Sequence, residues 1–262
     1  MKTNQDKPLI TVITVVFNDK KYLEYTLLSV INQTYENIEY IVIDGGSTDG
    51  TVELIKKYES KIHYWVSEPD KGIYDAMNKG IDRAQGDWIN FMNSGDMFFN
   101  ENIISKIVPY LQNESCVVSG YLDIYYKTRF VASYGNQTTM PHQASFFQTQ
   151  VMKKLKFNAD YPILADGEFL QRLQKLPNYQ SKYVDMKVAI FYFGGIGNHP
   201  KYLMNRMREE KKLKTNLPVV RKLKWRLFQT LNTIGWIYYK AFGIESYYMN
   251  YQKLILNVIN KR

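Results

Sequence analysis

Four short stretches carry side chains able to do chemistry. The first is Asn93-Ser94-Gly95-Asp96, a polar tip between the apolar runs 88–92 and 97–99. An acidic residue on such a tip, at the carboxyl end of a covered strand, suits a cation or a phosphate, because open α/β sheets bind ligands outside those strand ends. Asp also favours turns for its own sake, which is the plainer alternative. The second stretch is Asp44 with the glycine-rich Gly45-Gly46-Ser47-Thr48-Asp49-Gly50. It lacks G-x-G-x-x-G spacing and follows the second strand rather than the first, so it is no dinucleotide fingerprint. Ser47, Thr48 and Asp49 read as a turn and helix cap. The third holds Asp166 and Glu168 at the start of a helix whose Phe169, Leu170 and Leu173 turn inward. That leaves Asp166 free to point at a cleft, unless it merely caps the helix. The fourth comprises His142-Gln143, ahead of an aromatic pair, and His199, behind a glycine-rich loop.

These residues need a frame. Residues 9–17 are a β-branched run that reads as a buried parallel strand, and 38–43, 62–66 and 88–92 read as further strands. Helical spacing marks 22–33, 51–58, 73–84, 101–112 and 165–175. Asn18-Asp19 is expected to cap the first of these helices. Residues 116–126, 127–133 and 183–193 add three strands, 140–147 begins a segment on the acceptor side of the sheet, and 157–162 is a loop. Strands alternating with helices specify a helix-covered, mainly parallel sheet, hence class α/β. His63 falls within a strand and is read as packed there. On the helix 73–84, Asp75, Asn78 and Lys79 lie off the apolar stripe and read first as a solvated face, with Asp70 and Lys71 in the loop before it.

The run GIYDAMNKGIDRAQGDWINFMNSGD resembles the middle of a family 2 glycosyltransferase, the inverting, nucleotide-sugar-dependent type with a GT-A fold. ITVITVVFN and SVINQTYENIEYIVIDGGSTDGT upstream, and ADGEFLQRL downstream, fall in that family's order over residues 8–197. The resemblance implies a Rossmann-like nucleotide-binding sheet with flanking helices and a nucleotide-sugar donor, UDP-linked in the first instance. The acceptor would be a glycan or polyprenyl-linked, as in bacterial surface polysaccharide assembly. It implies Mg²⁺ or Mn²⁺ at Asp96, which matches the last Asp of the family's metal motif, while Asn93 and Gly95 stand where further carboxylates often sit and join the donor-binding set. Asp44, Asp75 and Asn78 match donor-side positions. Gly45 replaces an Asp that often contacts the base. Asp166 matches the catalytic base, six residues before Arg172, with Ala165 in place of a common Glu; Glu168 is the alternative base. His142 and Gln143 would line the acceptor cleft, and His199 would give a late metal or diphosphate contact.

Charge divides the chain. The 262 residues carry a net +9, but residues 200–262 alone hold +11 and the preceding 199 hold −2. A nucleic-acid binder would spread basic charge over its binding face, so no nucleic-acid partner is expected. The division sets a domain at 1–199 and a basic amphipathic helical extension at 200–262. There Val220, Leu223, Leu227, Leu231, Ile234 and Tyr238 recur at helical spacing, with Arg221, Lys222, Arg226 and Lys240 elsewhere and Trp225 and Trp236 off the stripe. Such a helix suits an anionic membrane surface, or packs on the body or on a second subunit. A lone Cys116 excludes an internal disulfide, no apolar run of about 18 residues spans a bilayer, and Met1 leads into a polar stretch. The expected location is cytoplasmic, peripheral at the inner face of the cell membrane. A non-catalytic nucleotide-sugar or glycan-binding module is the competing reading. A sugar-nucleotide pyrophosphorylase would want a basic glycine-rich loop where Phe17-Asn18-Asp19 stands.

Overall fold

The computed structural model describes residues 7–112, 114–136, 140–193, 199–213 and 219–253. Its nucleus is four parallel strands, β1 (Ile10–Val16), β2 (Ile38–Asp44), β3 (Tyr64–Ser67) and β4 (Trp88–Phe91). They lie in the order β3-β2-β1-β4, so Ile10 faces Ile38 on one side and Trp88 on the other. The winding reverses between β1 and β4, which makes their carboxyl ends a topological switch point, the usual ligand crevice of such sheets. Every residue of β1 is buried. Its alternate side chains serve opposite faces: Ile10 and Val12 join one apolar cluster, Ile13 and Val15 the other.

Helices α1 (Lys20–Ile31) and α2 (Thr51–Lys57) cover the first face through Leu23, Leu27, Val30 and Ile55. Helix α3 (Ile73–Arg83) covers the second through Tyr74, Ala76, Met77 and Ile81. After the Asp96 tip come β5 (Met97–Phe98), α4 (Ile103–Ile107), β6 (Val117–Tyr126), β7 (Arg129–Tyr134), β8 (Ser145–Gln148), α5 (Thr149–Leu155), α6 (Ala165–Leu173) and β9 (Ser181–Tyr192). The sheet continues β4-β8-β6-β9-β5, with β8 antiparallel to β4 and β9 parallel to β6. The short pieces β5, β8 and α5 escape the sequence reading.

The basic extension is helical, as α7 (Leu203–Leu213) and α8 (Val219–Ser246), and α8 packs against the first apolar cluster through Leu231, Tyr238, Tyr239 and Ile244. A π-helical turn, Tyr247–Gln252, follows and puts Tyr247, Tyr248 and Tyr251 into the first apolar cluster. Tyr248 stacks on Phe193 at 4.7 Å and tilts against Tyr126 at 4.8 Å. The expected single apolar stripe divides in two. Leu231 and Tyr238 turn toward the core, whereas Ile234, Ile237 and Phe242 are exposed. The side chains of Val220, Leu223 and Leu227 lie outside the described residues, as does the loop 194–197. Among the described residues no helix is long and apolar enough to cross a membrane.

Candidate active site

The tip after β4 is built by neighbours as much as by its own sequence. Ser94 N–H bonds back to Val15 at 3.0 Å and Asp96 N–H to Asn93 O at 2.9 Å. Gly95 turns at φ +90°, a conformation that favours glycine. Thr26, fully buried on α1, donates to the Asp96 carbonyl at 2.7 Å and accepts from Gly95 N–H at 3.0 Å.

The Asp96 side chain is thereby held inside, 5% exposed. Its carboxylate takes one hydrogen bond from the described residues, from Gln143 Nε2 at 3.1 Å. Burial pushes its pKa up to about 7; His142 and the Gln143 amide work against that rise, and the Asp19 charge adds to it. Asp19 is the residue that the sequence reading misplaced. It occupies the N-cap position of α1 but makes no side-chain cap. Instead its Oδ2 accepts from Ser94 Oγ at 2.8 Å and lies 3.9 Å from where a Cβ on Gly95 would stand. Burial lifts the pKa of Asp19 as well, with the Ser94 bond opposing.

A polar chain leads from this tip toward the second carboxylate. Asn93 Nδ2 meets His142 Nε2 at 3.2 Å, and His142 Nδ1 lies 3.7 Å from Asp166 Oδ2. His142 and Gln143 sit on one 3-10 turn, His142–Ala144, so a single turn reaches both acids. Gln143 is buried and supports the Asp96 carboxylate. Asp166 is 38% exposed at its side chain, with Oδ1 on the Gly167 N–H at 2.7 Å. It is not the cap of α6. Glu209, buried on α7, takes the Ile163 and Leu164 N–H groups at 3.0 and 2.9 Å and supplies the acceptor there. Tyr74 hydroxyl donates to Ile163 O at 3.0 Å and flanks the same helix end. Burial, then the Asp166 charge, holds the pKa of that phenol well above its ordinary value.

Glu168, the alternative base, is occupied. Both its oxygens take Arg172 Nε, at 2.8 and 2.9 Å, and Arg172 also donates to the Leu155 and Lys156 carbonyls. This clamp ties α6 to the end of α5 and leaves Glu168 no free oxygen edge.

On the donor side, Asp44 is fully buried and saturated. Its carboxylate accepts from Gly46 N, Ser47 N, Ser47 Oγ and Ser67 Oγ, the last at 2.6 Å. It shapes the loop rather than presenting a free oxygen. Asn78 closes a two-way pair with the Phe157 backbone at 2.8 and 2.9 Å, and Asp75 receives the Lys71 N–H at 3.0 Å. Both hold the α3 region through these bonds. His199 Nδ1 accepts from Lys201 N–H at 3.0 Å, and its ring packs by Tyr202 and Tyr239. Burial lowers its pKa. His199 caps the 3-10 turn Pro200–Tyr202 that leads into α7.

A divalent cation suits the tip. Two acids raised by burial face one another across Ser94, and the buried Asn93 Oδ1 has no hydrogen-bond partner. Among the described residues no group of three or more His, Cys, Asp or Glu converges on one point. A cation there would take Asp96 and complete its shell from diphosphate and water, as Mg²⁺ often does.

A family model described as "Glycosyl transferase family 2" matches residues 11–166. An uncharacterized glycosyltransferase of Mycobacterium tuberculosis is 38% identical over 183 residues, covering 63% of this chain and 68% of the relative. A PGL/p-HBAD biosynthesis glycosyltransferase of Mycobacterium bovis is 25% identical over 233 residues, 83% and 91% of the two chains. Among solved structures, TarS of S. aureus superposes with TM-score 0.58 at 15% identity, covering 86% of this chain and 43% of TarS. Its 1–349 portion in complex with UDP gives TM-score 0.59. The mannosyltransferase PcManGT of Pyrobaculum calidifontis, in complex with GDP-Man and Mn²⁺, gives 0.61 at 16% identity, covering 78% and 62%. These structural likenesses bear on the fold, a mixed, mostly parallel sheet of GT-A type with helices on its faces.

Proposed function

The chain belongs to glycosyl transferase family 2, and from that premise we propose that it moves one sugar from a UDP-sugar to a glycan or polyprenyl-linked acceptor, with inversion. The observation that carries this reading is the convergence of Asp96 and Asp166 from different elements, joined through Asn93, His142 and Gln143. Two carboxylates in unlike settings suit two roles. Asp96, buried and short of donors, suits the cation; Asp166, part-exposed and free on one edge, suits proton transfer.

In the reaction, the acceptor hydroxyl gives its proton to Asp166 as its oxygen attacks the anomeric carbon. The bond from that carbon to the diphosphate oxygen breaks on the opposite side, and the nucleoside diphosphate leaves with the electron pair. Gly167 N–H and the α6 amino end stabilise the Asp166 carboxylate while it waits, with His142 Nδ1 3.7 Å from its free edge. Mg²⁺ or Mn²⁺ at Asp96, when bound, neutralises charge that develops on the diphosphate. Asn93 and Asp19 border that position, and Gly95, without a side chain, leaves it open. The base and ribose would lie over the loops after β1, β2 and β3, whose shape Asp44 fixes.

The acceptor's chemistry draws support from the far end of the chain. A segment of net +11 with Ile234, Ile237 and Phe242 exposed suits the anionic inner face of a cell membrane, where a polyprenyl-linked acceptor would reside. The protein would then be cytoplasmic and peripheral.

The test is a panel of UDP-, GDP- and dTDP-sugars, each with and without Mn²⁺, read first by thermal shift and then by slow donor hydrolysis. A ligand that binds only the folded state raises its stability by about 2.7 kcal/mol at a hundredfold excess over Kd. Binding with hydrolysis supports the transferase; binding without any hydrolysis would favour a non-catalytic module.

A further inference from the structure

The later strands of the sheet carry an exposed aromatic face that the mechanism does not use. Side chains alternate across β6 and β9. Tyr126 and Phe193 pack on Tyr248 on one face, so Tyr125 and Tyr192, paired across the two strands, turn to the other. There the Tyr125 ring lies 5.9 Å from Tyr192 and 5.8 Å from Phe130 on β7, centroid to centroid. Burial, then the phenols of Tyr125 and Tyr25, raise the pKa of Tyr192, which sets Tyr25 of α1 at the end of the row. Tyr25, Tyr192 and Phe130 are all exposed. Beside the row stands a fixed polar group. Asp123, itself buried, meets Lys187 Nζ at 2.6 Å and accepts from Ser133 Oγ at 2.7 Å. Lys187 also lies over the exposed Phe99 ring, 4.5 Å from its centroid.

The row runs up to the candidate active site. Strand β9 pairs antiparallel with β5, Ile190 opposite Met97, so Tyr192 lies alongside the Asp96 tip. Tyr25 directly precedes Thr26, whose hydroxyl holds that tip. Thr26 meets the backbone of the tip while His142 and Gln143 meet its side chains, so the row flanks the site on the side away from Asp166. We propose that this face binds a neutral glycan strand and keeps it on the protein between transfers. The proposal rests on the transferase reading above and deepens it. A pyranose ring has an apolar C–H face and a hydroxyl rim; a tyrosine matches it with a flat ring and a phenol that both donates and accepts. The Asp123–Lys187 pair adds hydrogen-bonding groups locked in place but no net charge. An anionic lipid or a nucleic acid would call for a surplus of cations, and that surplus lies in residues 200–262. Exposed apolar side chains gathered on one face mark a recognition surface, whereas singly scattered ones do not.

The test is calorimetric titration of the full chain with neutral hexasaccharides of β-1,4-linked glucose, α-1,4-linked glucose and β-1,4-linked N-acetylglucosamine. It compares wild type with Tyr125→Ala, Phe130→Ala and, as a control, Phe242→Ala. Wild type should bind at least one of these saturably. Tyr125→Ala and Phe130→Ala should each weaken that binding by about tenfold, the size of a lost ring contact. Phe242→Ala removes an exposed ring from α8 instead and should leave the affinity within about twofold, as should both other variants for UDP. Phe130→Ala carries the test alone if Tyr125→Ala is unstable. Failure of all three sugars to bind, or binding untouched by either row variant, overturns the proposal and leaves the transferase reading standing. A wild-type dimer that both row variants turn into a monomer also overturns it and makes the face a contact between copies. Loss of binding to phosphatidylglycerol vesicles in both would overturn it in favour of a lipid surface. Sugar binding by a folded chain that takes no nucleoside diphosphate would keep the face and sink the transferase.

Discussion

Asp44 ends β2 and Asp96 lies on the tip after β4, two places away in the same sheet, and both are nearly inaccessible, at 0% and 5%. In sequence each is an Asp at a strand end beside glycine. Their surroundings differ in one respect. Asp44 accepts four hydrogen bonds from its own loop and from Ser67. Asp96 accepts one and sits near a second carboxylate. Burial without satisfaction is costly for a charge, so the first is a finished piece of scaffold and the second is unfinished without a positive partner. The difference teaches that two equally buried acids can differ entirely in hydrogen-bond supply, one saturated and one not.

The widest separation between the two should come from Asp96→Asn. Transfer should fall by roughly three to four decades, the share that a charge-neutralising cation supplies, while the melting temperature holds or rises. The sign follows from the raised pKa. Folded Asp96 titrates near 7 against 3.8 unfolded, so its stabilising contribution is present below about pH 4 and is lost as pH rises through 7. That loss is at most about 4 kcal/mol. Calorimetry from pH 4 to 8 should show wild type losing stability relative to Asp96→Asn. Mn²⁺ affinity should climb over pH 6–8, as the cation displaces the proton. Parallel pH curves for the two proteins would remove the basis of the comparison.

Asp166→Asn should come next, lowering turnover by roughly 10²–10⁴ while UDP affinity stays within about threefold. Loss of UDP affinity instead would move Asp166 to the donor side. Asp44→Ala should reverse the pattern. Four donors lose their acceptor, so unfolding free energy should drop by about 3 kcal/mol, with turnover per folded molecule reduced less than about tenfold. A stable Asp44→Ala that no longer binds donor would show that Asp44 is a contact after all. Smallest should be Glu168→Gln, which keeps an acceptor for Arg172; about 1 kcal/mol of stability and a turnover change within about threefold are expected. A dead Glu168→Gln enzyme would make Glu168 the base.

Much of this could be read from the sequence because period and punctuation are local. The β-branched run became β1, the 73–84 stripe became α3, and the polar gap after residue 92 became the Asp96 tip. The tip and the residue proposed as base were visible as acids at element ends. Side-chain partners were not. Asp19 looked like a cap, because Asp at that position usually is one; only the fold brings Ser94 within 2.8 Å of it. Asn78 looked solvated because its partner, Phe157, lies 79 positions on. Glu209 had no signal at all, being one of two adjacent acids, with Glu210, among lysines and arginines on a basic helix.

That last residue has a consequence for the order in which the protein becomes active. Synthesis runs from the amino end, and domains fold as they emerge. A nascent chain extended as far as Phe193 already holds every strand of the sheet, yet lacks Glu209 and the tyrosines 247, 248 and 251. The Ile163 and Leu164 N–H groups at the amino end of α6 then lack the acceptor that Glu209 supplies. The chain should bind nucleotide before it can transfer sugar, with turnover arriving only once α7 docks. Ribosome-stalled chains ending before and after α7, assayed side by side for UDP binding and transfer, would show the two functions separating if the order of emergence governs them.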